Sequence, residues 1–82
     1  MSSKSLTLRI LTPEATLFEG EASAVSLPGA LAPFTVLPGH AAMISTLEKG
    51  CITIDAPAPA GIEIRGGVVK IKDNRITVCA EI

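Results

Sequence analysis

The chain has 82 residues, which is enough for one domain with one modest apolar core. Apolar residues make up 48% of it, charged residues 18% and aromatic residues 2%, and the formal net charge is −1. The net charge gives no electrostatic sign of binding to nucleic acid or an acidic membrane, and the sparsely charged surface favours a face that binds another protein.

The first part of the chain predicts three short strands. Apolar and polar residues alternate over residues 6–10, and a second short strand is expected over residues 15–19. Residues 22–27 alternate again, which places Ala22 on one face of a third strand and Val25 on the opposite face.

Two Pro-Gly pairs, Pro28-Gly29 and Pro38-Gly39, flank the next strand, which is predicted over residues 34–37. Each pair predicts a tight turn, because Pro pre-sets φ at the first central position and Gly takes the positive φ that a type II turn requires at the second. Residues 29–33 carry no charge, which is unusual for a loop. We therefore expect this loop to contact a partner, and the alternative is a loop packed against its own domain.

The second half of the chain continues the β pattern. A Gly66-Gly67 pair permits a bulge or sharp bend, and Asn74 can take a positive φ in a hairpin turn. No window has a helical period, so eight to ten short strands predict an all-β sandwich or flattened barrel. The strands predicted in this half cover residues 42–47, 51–55, 62–65, 68–72 and 76–82.

Residue types that carry chemistry are scarce. Cys51 and Cys79 lack the spacing of a metal site and are expected to be buried free thiols, with a bridge between neighbouring strands as the alternative. For His40, the one histidine of the chain, we favour a hydrogen bond to the turn backbone over an interface contact or a role as catalytic base. The sequence therefore predicts no catalytic residue, no cofactor and no metal.

Four blocks of residues resemble the epsilon subunit of F-type ATP synthase, in the order and spacing of that family from about residue 6 to residue 82. The first block is Leu-Thr-Pro-Glu at 11–14 with Leu-Phe-Glu-Gly-Glu at 17–21, and the second is Pro-Gly at 28–29 with Val-Leu-Pro-Gly-His-Ala at 36–41. The third and fourth are Arg-Gly-Gly-Val-Val-Lys-Ile at 65–71 and Asp-Asn-Arg-Ile-Thr-Val at 73–78. A single block would be a weak signal, whereas four in order form a specific one.

This resemblance implies a ten-stranded β-sandwich and a non-catalytic rotor subunit of the central stalk. Such a subunit binds the gamma subunit, rests on the c-ring near the alpha/beta catalytic head and couples proton translocation to ATP synthesis. The resemblance places it on the cytoplasmic side of the bacterial inner membrane, as a peripheral protein attached through the complex. We expect a single domain over residues 1–82 without the C-terminal helical hairpin found in most of the family. The alternative function is a small β-sandwich module that binds a peptide or another protein.

The resemblance also implies which residues meet partners. The loop that would face the c-ring is uncharged here, although the family's loop is frequently acidic, and Arg65 stands where the family usually has Ser. The residues assigned to the c-ring-facing loop are Ala30, Leu31, Ala32 and Pro33, those assigned to the gamma subunit are His40, Ala41 and Met43, and those assigned to structural turns are Pro28, Gly29, Pro38, Gly39, Gly66 and Gly67.

Overall fold

The computed structural model describes residues 5–82, and this part of the chain forms two packed β-sheets built from nine strands. The predicted all-β sandwich is therefore confirmed, with nine strands where the resemblance implied ten. No helix that could span a membrane occurs in this part of the chain. The strands are β1 (Leu6–Leu11), β2 (Thr16–Ala22), β3 (Ala24–Leu27), β4 (Phe34–Val36), β5 (Met43–Leu47), β6 (Gly50–Asp55), β7 (Ala60–Ile64), β8 (Gly66–Lys72) and β9 (Arg75–Glu81).

The five-stranded sheet has the order β2-β1-β9-β8-β5, and the four-stranded sheet has the order β4-β3-β6-β7. All neighbouring strands are antiparallel except β1 and β9, which run parallel in register from Thr7 opposite Arg75 to Leu11 opposite Cys79. The first and last of the nine strands therefore lie side by side in the middle of the larger sheet. Strands β4 and β5 are consecutive in the chain. β4 is an edge strand of the four-stranded sheet, and β5 is an edge strand of the five-stranded sheet.

The core lies between the two sheets and consists of aliphatic side chains. Leu6, Leu8 and Ile10 of β1 are completely buried, because alternate residues of a strand point to the same face. Burying one such side chain contributes roughly 1.5–3 kcal/mol to stability. No polar side chain is buried among residues 5–82. Both phenylalanines are half-buried and pack at the margin of this core.

The chain passes from one sheet to the other at Ser23, and this corrects the predicted strand over residues 22–27. Ala22 at the end of β2 and Val25 of β3 are both buried, and they enter the core from different sheets. The Ser23 backbone N–H and Oγ–H both donate to the carbonyl oxygen of Asp55, at 2.8 and 3.0 Å. The bend at Ser23 shifts the alternation of buried and exposed residues by one position. In one continuous strand Ala22 and Val25 would point to opposite faces.

Both cysteine side chains are exposed, so the prediction of two buried thiols is wrong. Cys51 alternates with the buried Ile52 and Ile54 along β6, and this alternation points its side chain outward. Cys79 occupies the same kind of position on β9, in the other sheet. The two thiols are free, and the predicted alternative of a bridge between neighbouring strands is also wrong.

Candidate partner-binding surface

An apolar surface lies beside the edge strands β4 and β5. We call it the apolar end, and it surrounds a depression of about 510 Å³. Leu31 in the loop before β4 is completely exposed, and Ile44 of β5 is 71% exposed. The side chains that define the apolar end are those of Ala30, Leu31, Ala32, Phe34, Met43 and Ile44.

The turn at Pro28-Gly29 begins the exposed loop and differs from the predicted type II turn. The backbone N–H of Gly29 donates to the carbonyl of Leu27 at 3.0 Å, which closes a three-residue turn around Pro28. Gly29 has no positive φ and forms an isolated antiparallel bridge with Leu47. Glu48 N–H also donates to the Pro28 carbonyl, at 2.8 Å. Pairing with the end of β5 therefore sets the conformation of Gly29.

The loop over residues 29–33 folds closely over its own base. A Cβ placed on Gly29 would lie 2.6 Å from the Ala32 carbonyl oxygen and 2.8 Å from Cδ1 of Phe34, so only glycine fits without movement. This packing holds the base of the loop against the domain and leaves Leu31 in solvent at the tip. The tip is thus not packed on the sandwich, which was the alternative left open by the sequence. Its contact with a partner stays a prediction.

The Pro38-Gly39 turn adopts the predicted conformation. Gly39 has a φ of +87°, and the His40 backbone N–H donates to the Leu37 carbonyl at 3.1 Å. A second bond ties the turn to the β8–β9 hairpin, because the Gly39 N–H donates to Oδ1 of Asn74 at 2.7 Å. The predicted positive φ of Asn74 is confirmed at +61°, and Asp73 beside it has a φ of +52°.

His40 is half-buried, and its ring contacts the backbone of the neighbouring residue. Its Nδ1 lies 2.7 Å from the carbonyl oxygen of Ala41. A carbonyl only accepts, so Nδ1 is the donor in this bond. No carboxylate hydrogen-bonds or ion-pairs with His40 within residues 5–82, and no group of His, Cys, Asp and Glu there could hold a metal ion. The contact agrees with the favoured structural role.

The predicted site residues do not all meet on one surface. Ala30, Leu31, Ala32 and Met43 line the same depression, whereas Pro33, His40 and Ala41 lie outside it. Met43 is half-buried against the core, so little of its side chain is available to a partner. Ile44, which is not among the predicted site residues, is far more exposed. The alternation of β5 could have found it, since Leu47 is buried and Ile44 stands three residues earlier on the outer face.

The Gly66-Gly67 pair opens β8 just after the chain crosses between the sheets at Arg65. The Arg65 N–H donates to the carbonyl of Glu81 at 2.7 Å, which fixes the crossing beside β9. Gly67 pairs in register with both Leu47 and Ala80, so the pair makes a bend and not a bulge. A Cβ on Gly67 would collide with the Cys79 carbonyl oxygen.

Residues 5–82 match the family model described as "ATP synthase, Delta/Epsilon chain, beta-sandwich domain". The chain is 38% identical over 79 residues to the ATP synthase epsilon chain of a Nitratiruptor species, with 94% of this chain and 61% of that one covered. It is 33% identical over 82 residues to the ATP synthase epsilon chain of Leptospira interrogans serovar copenhageni, with 99% and 65% covered. The chain thus spans about three-fifths of the length of these curated relatives.

Two solved structures share the fold at low sequence identity. One is a chain of the Tetrahymena thermophila mitochondrial ATP synthase central stalk and c-ring, with a TM-score of 0.81, 14% identity and coverage of 100% of this chain and 67% of that one. The other is a chain of the Euglena gracilis mitochondrial ATP synthase, in an assembly of OSCP, F1 and c-ring, with a TM-score of 0.87, 15% identity and coverage of 95% and 51%. At such identity the likeness supports the fold.

Proposed function

This chain belongs to the family of ATP synthase delta/epsilon chain β-sandwich domains, and from that membership we propose that it works as a non-catalytic rotor subunit of the central stalk. In this proposal it binds the gamma subunit, meets the c-ring and couples proton translocation to ATP synthesis. It is held on the cytoplasmic side of the bacterial inner membrane through the complex. The match over residues 5–82 carries the proposal.

The apolar end supports the part of the proposal that concerns the c-ring. Ala30, Leu31 and Ala32 stand at the tip of a loop whose base is fixed by the bridge between Gly29 and Leu47. A held loop loses little conformational entropy on binding, so more of the apolar contact energy is realised as affinity. Burying Leu31 would contribute about 1–2 kcal/mol before these ordering costs.

The turn after β4 supports the gamma-facing part. His40 and Ala41 follow the end of β4 opposite to the exposed loop, whereas Met43, the third residue assigned to the gamma subunit, lines the apolar end. In this proposal the Pro38-Gly39 turn presents the His40 ring, and its Nδ1 bond to the Ala41 carbonyl leaves Nε2 for a partner.

A test is recovery of the tagged chain from membranes of its own cell after mild detergent extraction. We expect the gamma subunit and the c-ring to be retained together in stoichiometric amounts. A matched bait is the same chain with Leu8→Asp, which unfolds the core and controls for nonspecific adsorption. Retention of an unrelated soluble protein, with neither gamma subunit nor c-ring, would instead favour the peptide-binding or protein-binding module.

A further inference from the structure

Positive charge is concentrated on part of the outer face of the five-stranded sheet, near the β8–β9 hairpin. Six Lys and Arg residues occur in the part of the chain that the structure describes, and four of them lie on this face. Lys70 and Lys72 come from β8, Arg75 begins β9, and Arg9 comes from β1. We call these four residues the basic groove. The same face also carries Glu19 and Glu21 on β2 and Glu81 at the end of β9, so the excess of positive charge lies around Lys72 and Arg75 at the β8–β9 hairpin.

Strand register brings these side chains together in two adjacent rows. In one row Lys70 lies opposite Thr77, which lies opposite Arg9, and in the next row Lys72 lies opposite Arg75, which lies opposite Thr7. Each row ends on β2 in a glutamate, Glu19 opposite Arg9 and Glu21 opposite Thr7. Neighbouring strands are about 4.8 Å apart, and residues two apart in a strand are about 6.7 Å apart. The rows therefore repeat with the spacing of alternate residues in an extended chain.

The cations of the basic groove are largely without anionic partners. Within residues 5–82 the one ion pair joins Nε of Arg9 to Oε2 of Glu19 at 3.3 Å, and no ion pair involves Lys70, Lys72 or Arg75. These residues line two adjoining depressions of about 300 and 450 Å³ that share Arg75 and Thr77. Asp73 is the one carboxylate that lines either of them. Exposed like charges at this distance repel each other, and a bound anion relieves that repulsion.

We propose that the basic groove binds an extended acidic segment of a partner protein. Carboxylates at alternate positions of such a segment would meet the two rows in turn, and Thr7 and Thr77 offer hydroxyl groups between the cations. A nucleotide fits less well, because no aromatic side chain lines either depression to stack on a base. The basic groove adjoins the apolar end, because Ile44 lies opposite Lys70 on the same face of the sheet. The inference still goes beyond the proposed function, since it concerns an acidic ligand of the cations and not the apolar contact.

The probe is a short synthetic peptide of alternating Glu and Thr, titrated into the isotopically labelled chain and followed by NMR and calorimetry. We expect shifts concentrated in the amides of β8, β9 and β1, and weaker binding as NaCl rises from about 50 to about 200 mM. A peptide with Gln in place of Glu is the ligand control. A peptide with the same Glu and Thr content in two separate blocks tests the alternate spacing.

The variant is Lys70→Glu with Lys72→Glu, and its matched control is Lys49→Glu with Arg65→Glu, which changes the net charge equally on exposed residues elsewhere. We expect the first pair to weaken binding by about tenfold or more and the control to leave it nearly unchanged. An amide spectrum of each free variant verifies folding.

Three results would overturn the proposal. The first is that both double variants lose binding of the Glu-Thr peptide to the same extent. The second is that the Gln peptide binds as tightly as the Glu-Thr peptide. The third is that inorganic phosphate or phosphatidylserine vesicles bind and the Glu-Thr peptide does not. None of these results bears on recovery of the gamma subunit and the c-ring, so the two proposals fail separately.

Discussion

Pro28-Gly29 and Pro38-Gly39 stand at the two ends of β4, and different neighbours constrain the two glycines. Gly29 has no positive φ but is covered by the Ala32 carbonyl and the Phe34 ring. Gly39 has a φ of +87°, and nothing lies within 4 Å of the place where a Cβ would be. One glycine is required by crowding and the other by backbone conformation.

The difference shows how the molecule uses each turn. The crowded turn at Gly29 is paired to the end of β5, so it anchors the loop that carries Leu31. The uncrowded turn at Gly39 donates a hydrogen bond to the Asn74 side chain, and this bond connects the segment between β4 and β5 to the β8–β9 hairpin. Substitutions at the two turns should therefore fail for separable reasons.

The largest effect is expected from Gly29→Val. The added atoms collide with a backbone carbonyl and a packed ring, so the free energy of unfolding should fall by about 3 kcal/mol. Urea denaturation of the purified chain measures the loss. In the background Phe34→Ala the ring is absent, and part of the loss caused by Gly29→Val should disappear. An unchanged midpoint for Gly29→Val would show that the crowding is not real.

A smaller loss is expected from Gly39→Val. The side chain has space, but a β-branched residue is strained at this φ, and we expect a loss of about 2 kcal/mol. Replacing Gly39 with a D-alanine by chemical synthesis is the control, because a D-residue favours positive φ and should retain stability. If D-alanine were as destabilising as valine, backbone strain could not be the cause.

Asn74→Gly should lower stability by about 1 kcal/mol, since it removes the acceptor of the Gly39 N–H and keeps a residue that tolerates positive φ. Asp73→Gly is the matched control at the other positive-φ position of the same turn. The added flexibility of glycine enters both variants, so the difference between them reports the hydrogen bond. Equal midpoints for the two variants would argue that the bond contributes nothing.

The smallest effect on stability is expected from Leu31→Asp at the exposed tip. Its side chain is already in solvent, so the free energy of unfolding should change by less than about 0.5 kcal/mol. In the assembled enzyme a carboxylate buried at an apolar contact has no partner, so ATP-driven proton pumping should fall. Thermal denaturation of the free chain and pumping by membrane vesicles are measured together.

Leu17→Asp is the control for Leu31→Asp, because Leu17 is 39% exposed on β2, the opposite edge of the larger sheet from β5. It should leave pumping by the assembled enzyme intact. Normal pumping with Leu31→Asp, combined with a lower melting temperature of the free chain, would contradict the role of the apolar end as a contact.

Much of the fold could be predicted from local patterns, because alternation marks a strand that is buried on one face. Residues 51–55 show this clearly, with Ile52 and Ile54 buried as their spacing requires. The same alternation places Cys51 outside, whereas the general tendency of cysteine to be buried predicts the reverse. Where pattern and residue type disagree within a strand, the pattern is the better guide.

The parts that could not be predicted depend on contacts between distant residues. The bend at Ser23 is stabilised by hydrogen bonds to Asp55, 32 positions further along the chain, and no residue pattern near Ser23 predicts it. Lys70, Lys72 and Arg75 are close in sequence, but Arg9 joins them only through the parallel pairing of β1 with β9. The conformation of Gly29 likewise follows from its bridge to Leu47.

The central position of β9 has a consequence for the order in which the protein can be made. On the ribosome β9 is the last of the nine strands to emerge, yet it separates β1 from β8 in the finished sheet. Until residues 75–81 emerge, the larger sheet exists only as two separate ribbons, β2-β1 and β8-β5, each of which is marginally stable alone. The buried side chains of Ile76, Val78 and Ala80 arrive in the same step. Until β9 has emerged the inner faces of these ribbons stay exposed, so we expect the larger sheet to be completed only when β9 inserts between strands made earlier.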